Sequence, residues 1–447
     1  MNLKEIHNVY FIGIGGIGMS ALARYFYKTG KHVTGYDKAV SNITIDLERL
    51  GIKIHFNDSL DLIPPRYKDK TNTLVVFTPA IPLSNINLNF YINNGFKVMK
   101  RAEVLGLITK NTFCFAVAGT HGKTTTSAIL GHIMQPYKAT SFLGGISENY
   151  HSNLILGADE ISVVEADEFD KSFLQLSPNI ACITSMDADH LDVYGKHTFL
   201  EDSFQEFANK VSEVLIVAKG SKVAGLSYAI EEEADYKITN IIIKDGHYIF
   251  DVTTPNDQIN EIVFLLPGKH NMMNALAALA MADSYGIPLE NIKKSLETFK
   301  GVERRFSYKV RSKTLTLIDD YAHHPTEIKA VYEALSTSFP DDQKCVVFQP
   351  HLYSRTQDFM SEFATVLSLF DRVYLLDIYP ARELPIAGVT STVLKENISG
   401  TQVELISKDE MSDKLNRVKE RIVTILGAGD VGDEVEKVKL NMMYDEV

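Results

Sequence analysis

Apolar strand-like runs alternate with helix-like segments along the whole chain, and this alternation limits the possible folds more than any other feature of the sequence. Each run is short enough for a buried β-strand, and a glycine turn or a polar stretch separates it from the next segment. Such alternation is typical of βαβ units, in which helices cover both faces of a mostly parallel sheet. The sequence therefore predicts an α/β protein.

The alternation starts anew twice, which predicts three domains in this chain of 447 residues. Residues 1–110, with the runs VYFIGI and LVVFTP, are expected to form a Rossmann-like domain. Residues 111–308 begin with FCFAVAG and are expected to form a P-loop-type ATPase domain, with a small antiparallel insertion between about residues 236 and 267. Residues 309–447 repeat the pattern from TLTLIDD onward, which predicts a second Rossmann-like domain.

The charge and cysteine content exclude several classes of protein. Lys and Arg number 45 against 57 Asp and Glu, a net charge of −12, and no basic run offsets it, so neither nucleic acid nor an anionic membrane is expected as a partner. Three widely spaced cysteines predict neither a disulfide framework nor a zinc site. No apolar run approaches the roughly 20 residues of a membrane span and no signal-peptide pattern opens the sequence. A cytoplasmic location is therefore expected.

A glycine motif follows the first predicted strand. Gly13, Gly15 and Gly18 have the GxGxxG spacing, and Asp37 closes the next strand. Between a strand and a helix, such a motif lets backbone N–H groups and a helix N-terminus approach a diphosphate. Taken alone it would indicate an NAD-dependent oxidoreductase. The same spacing recurs at residues 427–432, GAGDVG, so the pattern is weak evidence and either copy can be a plain turn.

The segment GTHGKTTT is more specific. Gly119 and Gly122 allow the chain to wrap around phosphates, Lys123 can reach the β and γ oxygens, and the Thr124 hydroxyl can bind Mg²⁺. The spacing departs from the usual GxxxxGK[ST], because Val117 stands where the first glycine would be. The strand–loop–helix context still favours a phosphate-binding loop over an incidental glycine turn. A P-loop regulatory ATPase is a second interpretation of this feature.

Further polar residues lie where metal and phosphate ligands are expected. Glu165 in VVEADE and His190 in MDADHLDVYG follow strands and have acidic neighbours, which suits a hard cation, although a solvated strand end or a structural histidine is the alternative. Asn271 and Asn274 share one helical face, and Asn271 can equally be a helix cap. Arg305 in GVERRF can pair with phosphate or be part of a plain basic surface.

These motifs occur together and in one order: GIGGIGMSALA, GTHGKTTT, VVEADE, DADHLDVYG, HNMMNALAA, RRF and DDYAHHPTE. The set resembles the Mur ligase family from end to end. The resemblance implies that the first domain binds a UDP-sugar, the second ATP and the third an amino acid, and that the diphosphate at the first glycine motif is that of UDP. Within the family, GIGGIGMS, YAHHPTE and FQPHLYSRT are most similar to the branch that joins L-alanine to UDP-N-acetylmuramate. The murein peptide recycling ligase is the alternative within the family.

Roles for individual residues follow from the resemblance, position by position. The implied catalytic residues are Lys123, His190 and Arg305. The residues implied to bind ATP are Gly119, Thr120, His121, Gly122, Lys123, Thr124, Thr125, Asn271, Asn274, Arg305 and Asp320. The residues implied to bind the UDP-sugar are Gly13, Gly15, Gly16, Gly18, Met19, Ser20 and Asp37. The implied metal ligands are Thr124, Glu165 and His190.

The amino-acid site is expected at the carboxyl ends of two predicted strands, because ligands of open α/β sheets collect there. YAHHPTE and FQPHLYSRT both begin where such a strand ends, and their side chains are expected to converge on one crevice. The residues concerned are Tyr321, His323, His324, His351 and Arg355.

The implied reaction activates the lactyl carboxylate of UDP-N-acetylmuramate as an acyl phosphate, which L-alanine then attacks, with release of ADP and phosphate. ATP and Mg²⁺ are the implied cofactors, and the partners are these small molecules. Several relatives have a carbamylated lysine where this chain has Gln205, so no carbamate is predicted. A monomer or weak homodimer is expected, and three sites on three domains imply closure before chemistry.

Overall fold

The computed structural model describes residues 3–186, 197–244, 247–381 and 383–444. Within them, 21 β-strands form three sheets of five, ten and six strands, which confirms the predicted α/β class. The chain divides into two compact units, of which the first holds the first sheet and most of the second. The first unit is Met1–Ile241, Phe250–Val263 and Met273–Phe299; the second unit is Ile242–Ile249, Phe264–Met272 and Lys300–Val447.

The first sheet is parallel and has the strand order β3-β2-β1-β4-β5. Its strands are β1 Asn8–Ile12, β2 His32–Tyr36, β3 Lys53–His55, β4 Thr73–Phe77 and β5 Lys97–Lys100. Its helices are α1 Ile17–Lys28, α2 Asn42–Arg49, α3 Ile86–Asn93 and α4 Arg101–Thr109. Every residue of β1 is buried, as expected for the central strand of a sheet covered on both faces. The strand order reverses between β1 and β4, so the glycine motif after β1 lies where such sheets bind ligands.

The second sheet has the strand order β15-β14-β13-β12-β11-β10-β6-β9-β7-β8. Its strands are β6 Phe113–Ala118, β7 Thr140–Ser147, β8 Ser152–Ile155, β9 Ile161–Glu165, β10 Ile180–Ile183, β11 Val214–Ala218, β12 Leu226–Ile230, β13 Tyr236–Lys244, β14 His247–Thr253 and β15 Gln258–Phe264. Its helices are α5 Lys123–Met134, α6 His197–Ala208, α7 Lys269–Ser284 and α8 Leu289–Thr298. Strands β10, β6 and β9 are parallel neighbours, so their carboxyl ends form one edge.

The first two sheets share a hydrophobic core within the first unit. Phe11 and Phe26 belong to the same cluster of buried side chains as Phe142 and Val164. The fully buried Asn153 of β8 donates from Nδ2 to the Ile17 carbonyl at 2.6 Å and to the Ser20 hydroxyl at 2.8 Å. The start of α1 is therefore fixed by the second sheet as well as by its own.

The third sheet has the strand order β16-β17-β21-β18-β19-β20, and only β16 in it runs antiparallel. Its strands are β16 Ser307–Arg311, β17 Thr316–Asp320, β18 Lys344–Phe348, β19 Arg372–Leu375, β20 Gln402–Leu405 and β21 Ile422–Leu426. Its helices are α9 Pro325–Ser338, α10 Tyr353–Asp358, α11 Met360–Leu367, α12 Ser391–Asn397, α13 Lys408–Leu415 and α14 Val435–Tyr444. Among the described helices, none is both long and apolar enough to span a membrane.

The sequence pattern of QDFMSEFATVLSLF predicts one continuous helix, but the structure interrupts it. The segment is divided between the end of α10 and α11, which meet at Phe359. Phe359 leaves helical geometry with φ −117° and ψ 24°, and its ring packs against His324 with the centroids 4.6 Å apart. Tertiary packing therefore overrides the helical pattern at this residue.

Candidate active site

The predicted phosphate loop, residues 119–124, consists of the turn 119–122 between β6 and α5 and the first two residues of α5. Gly119 and Gly122 both adopt left-handed backbone angles, with φ +128° and +82°. A β-carbon on Gly119 would overlap the Thr184 hydroxyl, and one on Gly122 would overlap the Asn274 amide oxygen. Both glycines are therefore required by the backbone and by close packing.

Two hydroxyl residues after β10 brace this loop, and the sequence analysis did not predict them. Thr184 donates to the carbonyls of Ala118, at 3.1 Å, and His121. Ser185 Oγ accepts from the His121 N–H at 2.9 Å and hydrogen-bonds to the Thr120 hydroxyl at 2.8 Å. Their position at a strand end was the available signal, as it was for Glu165 and His190.

Lys123 is folded back onto its own loop. Its Nζ donates to the carbonyls of Gly119 at 2.6 Å and Thr120 at 3.3 Å, and it lies 2.9 Å from the Glu168 carboxylate. Burial disfavours the ammonium form, but the charges of Glu168, Glu165 and Asp167 outweigh burial and raise the pKa of Lys123. The side chain is a largely buried ammonium group at the predicted phosphate loop.

Oxygen donors of two elements lie where a hard cation is expected. Thr124, in the first turn of α5, is 7 % exposed. The Glu165 carboxylate accepts from the Gly144 N–H at 3.2 Å, and a β-carbon on Gly144 would overlap it. Within the described residues no three His, Cys, Asp or Glu side chains form a metal cluster, and His190 lies outside those residues. A hydroxyl and a carboxylate fit Mg²⁺, which commonly uses few protein ligands together with substrate phosphates.

The turn after β1, residues 13–18, forms the first glycine loop. The Gly15 N–H donates to Asp37 Oδ2 at 2.7 Å, so the loop binds a carboxylate through its backbone. Gly16 precedes the first turn of α1. Met19 and Ser20, also predicted to bind the UDP-sugar, are 2 % and 0 % exposed, and both pack into the first unit. Their surroundings indicate that they support the loop.

The carboxyl end of the third sheet brings together four of the five residues predicted for the amino acid. The rings of Tyr321 and His323 lie 5.3 Å apart, and those of His323 and His351 lie 5.9 Å apart. His351 Nδ1 is 3.3 Å from a guanidinium nitrogen of Arg355. His324 instead caps α9, accepting from the Thr326 N–H at 3.3 Å. Its proline neighbour and helix start direct it away from this cluster.

The two clustered histidines are neutral near pH 7. Burial, together with the nearby His323 and Arg355 and against the opposing effect of Glu383, lowers the pKa of His351 to about 4. Burial also lowers the pKa of His323, against the opposing effect of Glu327. The backbone of Leu352 between these segments is strained, with φ +73°, as is common for residues held at binding sites. The cluster therefore places the cation Arg355 beside uncharged imidazoles.

Comparisons with known proteins cover the whole chain. Models of the Mur ligase family match residues 8–112 (catalytic domain), 117–282 (middle domain) and 304–431 (glutamate ligase domain). The chain belongs to the Mur ligase family. A UDP-N-acetylmuramate–L-alanine ligase of Flavobacterium psychrophilum is 54 % identical over 98 % of this chain and 99 % of its own. One from Cytophaga hutchinsonii is 45 % identical over 98 % of both chains.

Solved structures agree with this assignment and with the three-domain architecture of the family. The crystal structure of UDP-N-acetylmuramate-alanine ligase MurC from Thermotoga maritima superposes with a TM-score of 0.85 at 28 % identity, over 98 % of this chain and 99 % of that one. A murein peptide ligase from Psychrobacter arcticus gives a TM-score of 0.72 at 20 % identity, over 98 % of both chains. At that identity the second comparison shows the fold alone.

In this Mur ligase, Arg305 and Asp320 belong to the second unit. Asp320 accepts from the N–H groups of Phe306 at 2.6 Å and Ala322 at 2.7 Å, so its carboxylate fixes the turn that carries Arg305. Burial raises the pKa of the Asp320 carboxyl to about 6. The Tyr321 ring lies 5.2 Å from the guanidinium of Arg305 and equally far from that of Arg304.

The two asparagines predicted to bind nucleotide differ in their contacts. Asn274 accepts from the Thr126 hydroxyl at 3.2 Å and lies against the phosphate loop. Asn271 donates from Nδ2 to the Pro267 carbonyl at 2.7 Å, at the start of α7. Beside it, burial and the charge of Arg305 lower the pKa of His270 to about 4. Asn271 therefore holds the turn before α7, a contact that its sequence position could not distinguish from ligand binding.

The Mur ligase contains a second glycine loop, residues 427–432 after β21, and a side chain fills it. Arg304 donates to the carbonyls of Gly427 and Gly429, and a β-carbon on Gly432 would overlap its guanidinium. The same guanidinium lies 3.5 Å from Asp319. The second copy of the motif therefore binds an internal cation.

Proposed function

We propose that this chain is an ATP-dependent ligase that joins L-alanine to the lactyl carboxylate of UDP-N-acetylmuramate, in the synthesis of peptidoglycan. The observation that carries the proposal is 54 % identity over 98 % of the chain to a relative named for that activity. Each of the three substrates has its own candidate binding site. These are the phosphate loop for ATP, the first glycine loop for the UDP-sugar, and the cluster of Tyr321, His323, His351 and Arg355 for L-alanine. The net charge of −12 also favours small-molecule partners over nucleic acid.

In the first step, an oxygen of the lactyl carboxylate attacks the γ-phosphorus of ATP, the bond to the ADP oxygen breaks, and an acyl phosphate forms. We assign Lys123 to the β and γ oxygens, which it would meet after leaving Glu168 and the loop carbonyls. Mg²⁺ held by Thr124 and Glu165, with His190 as a further ligand, would offset charge on the phosphates. Removing a single electrostatic contact of this kind typically costs about 3 kcal/mol of transition-state stabilisation.

Arg305 is the second cation proposed for the phosphoryl group. Its backbone is fixed through Asp320, and its guanidinium lies 5.2 Å from the centroid of the Tyr321 ring. A guanidinium can bind two phosphate oxygens at once, so a fixed arginine gains geometric selectivity. Asn274 would contribute by maintaining the phosphate loop at Gly122.

In the second step, the amine of L-alanine attacks the acyl carbon and inorganic phosphate leaves. We assign Arg355 to the alanine carboxylate and the neutral ring of His323, whose Nδ1 faces the Tyr321 carbonyl, to accept a hydrogen bond from the amine, while His351 Nδ1 accepts from Arg355 and orients its guanidinium. The amine attacks only after losing a proton, which an uncharged imidazole can hold. A cationic ring there would repel the ammonium form of the substrate.

The test is ATP-dependent phosphate release by the full chain with UDP-N-acetylmuramate and a panel of L-alanine, glycine, L-serine and a tripeptide. We expect release with L-alanine, and a preference for the tripeptide would instead indicate the murein peptide ligase activity. Lys123→Ala should lower kcat about 100-fold or more, because the lost contact acts mainly in the transition state. Near-normal turnover by a folded Lys123→Ala variant would contradict the phosphate-loop assignment, and NADH binding in place of the UDP-sugar would support an oxidoreductase.

A further inference from the structure

Arg101, the first residue of α4, lies against the first glycine loop. A β-carbon on Gly18 would lie 2.9 Å from Arg101 Nη1 and 3.0 Å from its Cδ. Gly18 is in the first turn of α1, where the helix presents its N-terminus. The third glycine of the motif therefore makes room for a guanidinium at the loop.

The other side of the same guanidinium faces the second sheet. Arg101 Nη2 lies 3.5 Å from Asp167 Oδ2, and the two side chains are 20 % and 39 % exposed. Asp167 stands between Glu165 and Glu168, and its charge acts on Lys123 of the phosphate loop. Arg101 is thus the direct charged link between the first glycine loop and the acidic segment beside the phosphate loop. A partly exposed pair of this length contributes little stability, so it can exchange partners at small cost.

The charge at the first glycine loop requires a cation when a diphosphate binds. The Gly15 N–H already donates to the Asp37 carboxylate, so a diphosphate adds its negative charges beside an existing one. The helix N-terminus supplies only about half an elementary charge. Of the side chains that meet the glycines of this loop, that of Arg101 is positively charged, and guanidinium binds phosphate in a bidentate manner.

We propose that Arg101 binds the diphosphate of the UDP-sugar and exchanges Asp167 for it, so that binding of the UDP-sugar changes the charge beside the ATP site. The proposal rests on the proposed function for the identity of the ligand. When Arg101 turns to the diphosphate, the Asp167 carboxylate adds net negative charge to the acidic segment. That charge favours a divalent cation there, so the UDP-sugar and Mg²⁺-nucleotide should each tighten the binding of the other by the same factor.

Isothermal titration calorimetry of UDP-N-acetylmuramate into the full chain tests the first part. Arg101→Met should weaken binding about 10- to 100-fold, the effect of losing hydrogen bonds to a charged group, and Arg101→Lys should weaken it less. Arg49→Met is the matched control, because Arg49 of α2 forms an exposed ion pair with Asp46 in the same sheet domain. It should bind within about twofold of the wild type.

The second part is tested by repeating the titration with Mg²⁺ and the non-hydrolysable nucleotide AMP-PNP. The wild type should bind the UDP-sugar about three- to tenfold more tightly with the nucleotide present, within the usual range of such couplings. Asp167→Asn should lose that gain while binding the UDP-sugar alone at least as tightly as the wild type. Circular dichroism confirms that each variant folds.

Three outcomes are distinguishable. Binding by Arg101→Met within twofold of the wild type would overturn the diphosphate assignment. An undiminished nucleotide effect in Asp167→Asn would overturn the exchange. Failure of the wild type itself to bind UDP-N-acetylmuramate would instead reject the proposed function.

Discussion

The two glycine loops have the same glycine spacing and both follow a parallel strand, but their backbone groups have opposite electrical polarity. In the first, the Gly15 N–H donates to the carboxylate of Asp37. In the second, the carbonyls of Gly427 and Gly429 accept from the guanidinium of Arg304. The first loop presents backbone hydrogens to an anion, whereas the second presents backbone oxygens to a cation.

This difference shows that the GxGxxG spacing lets another group come close to the loop backbone, but does not determine whether that group is an anion or a cation. The α-helix that begins within the first loop has 12 residues and contributes an N-terminal dipole, whereas a five-residue 3-10 helix, Asp430–Glu434, begins within the second loop and precedes α14. In both loops the last glycine makes room for an arginine, but Arg101 contacts Asp167 across from its loop, while Arg304 donates to the carbonyls of its own loop and also lies beside Asp319. Four predictions test this contrast.

The largest effect is expected for Gly15→Val. A β-carbon there would lie 2.8 Å from Thr44 Cγ2 and 2.9 Å from Asp37 Oδ2, so the added side chain blocks the backbone approach of a diphosphate. We expect UDP-N-acetylmuramate affinity to fall about 100-fold or more, as small displacements at such sites do. Gly429→Val, at the equivalent position of the second loop, should leave that affinity unchanged in the same calorimetric titration. Equal losses in both variants would contradict the assignment of opposite polarity.

Arg304→Met should open the second loop. The substitution removes both carbonyl contacts and the cation nearest to Asp319, whose side chain is 3 % exposed. Breaking such a buried pair costs about 3 kcal/mol or more, which corresponds to roughly 100-fold faster amide hydrogen exchange through residues 422–432. Arg311→Met, which removes an arginine stacked 4.8 Å from Tyr308, is the control and should leave exchange there unaltered. Unchanged protection in Arg304→Met would mean that the loop holds its shape without the guanidinium.

Replacing the last glycine of each loop by alanine should distinguish a loop that binds the UDP-sugar from a loop that stabilises the fold. In Gly18→Ala the β-carbon meets Arg101 at 2.9 Å, and UDP-sugar affinity should fall about tenfold because a contact to a charged group is disturbed. In Gly432→Ala the β-carbon meets Arg304, and we expect a local loss of about 1–3 kcal/mol from overpacking, with UDP-sugar affinity unchanged. Calorimetry should show weaker UDP-sugar binding in Gly18→Ala alone, and hydrogen exchange should show local destabilisation of the second loop in Gly432→Ala alone. The same change in both variants would contradict this prediction.

The smallest effect is expected for the stability of the second loop at acidic pH, to which Asp430 contributes. Burial raises the pKa of Asp430, but hydrogen bonds from Lys408 and Gln349 outweigh it and leave the pKa below the usual value. The contribution of Asp430 is therefore present above the unfolded pKa of about 3.9 and is lost as the pH falls through the lower folded value. Asp430→Asn should make the acid-induced rise in hydrogen exchange at the second loop shallower, by less than about 1 kcal/mol for this partly exposed pair. An unaltered acid profile would show that Asp430 does not contribute.

Much of the fold could be predicted because buried parallel strands are continuous apolar runs. β6, β17 and β21 fall within the runs FCFAVAG, TLTLIDD and IVTILGAG, and β1 begins one residue before VYFIGI. The predicted phosphate loop follows FCFAVAG. Short strands such as β3 and β5 were not predicted, because their burial comes from neighbouring elements and not from apolar composition.

The positions of the loops in the candidate site could be predicted from the sequence, whereas most of the side-chain contacts within them could not. Placing ligands at strand ends located Lys123, His323 and His351, since the backbone alone determines those positions. The polarity of each glycine loop could not be predicted, because it depends on Arg101 and Arg304, which only the tertiary fold brings to the glycines. The capping role of His324 likewise depends on a helix start that competes with ligand binding for the same side chain.

Asn153 has a consequence for protein engineering. Because it holds the Ile17 carbonyl and the Ser20 hydroxyl from β8, the first glycine loop acquires its geometry from residues on both sides of position 110. A chimera that exchanges only residues 1–110 with a distant relative separates α1 from this partner and leaves a fully buried amide to find new ones. A chimera that transfers UDP-sugar binding between Mur ligases should therefore exchange the first two sheets together, with the boundary between the two parent sequences placed after the second sheet.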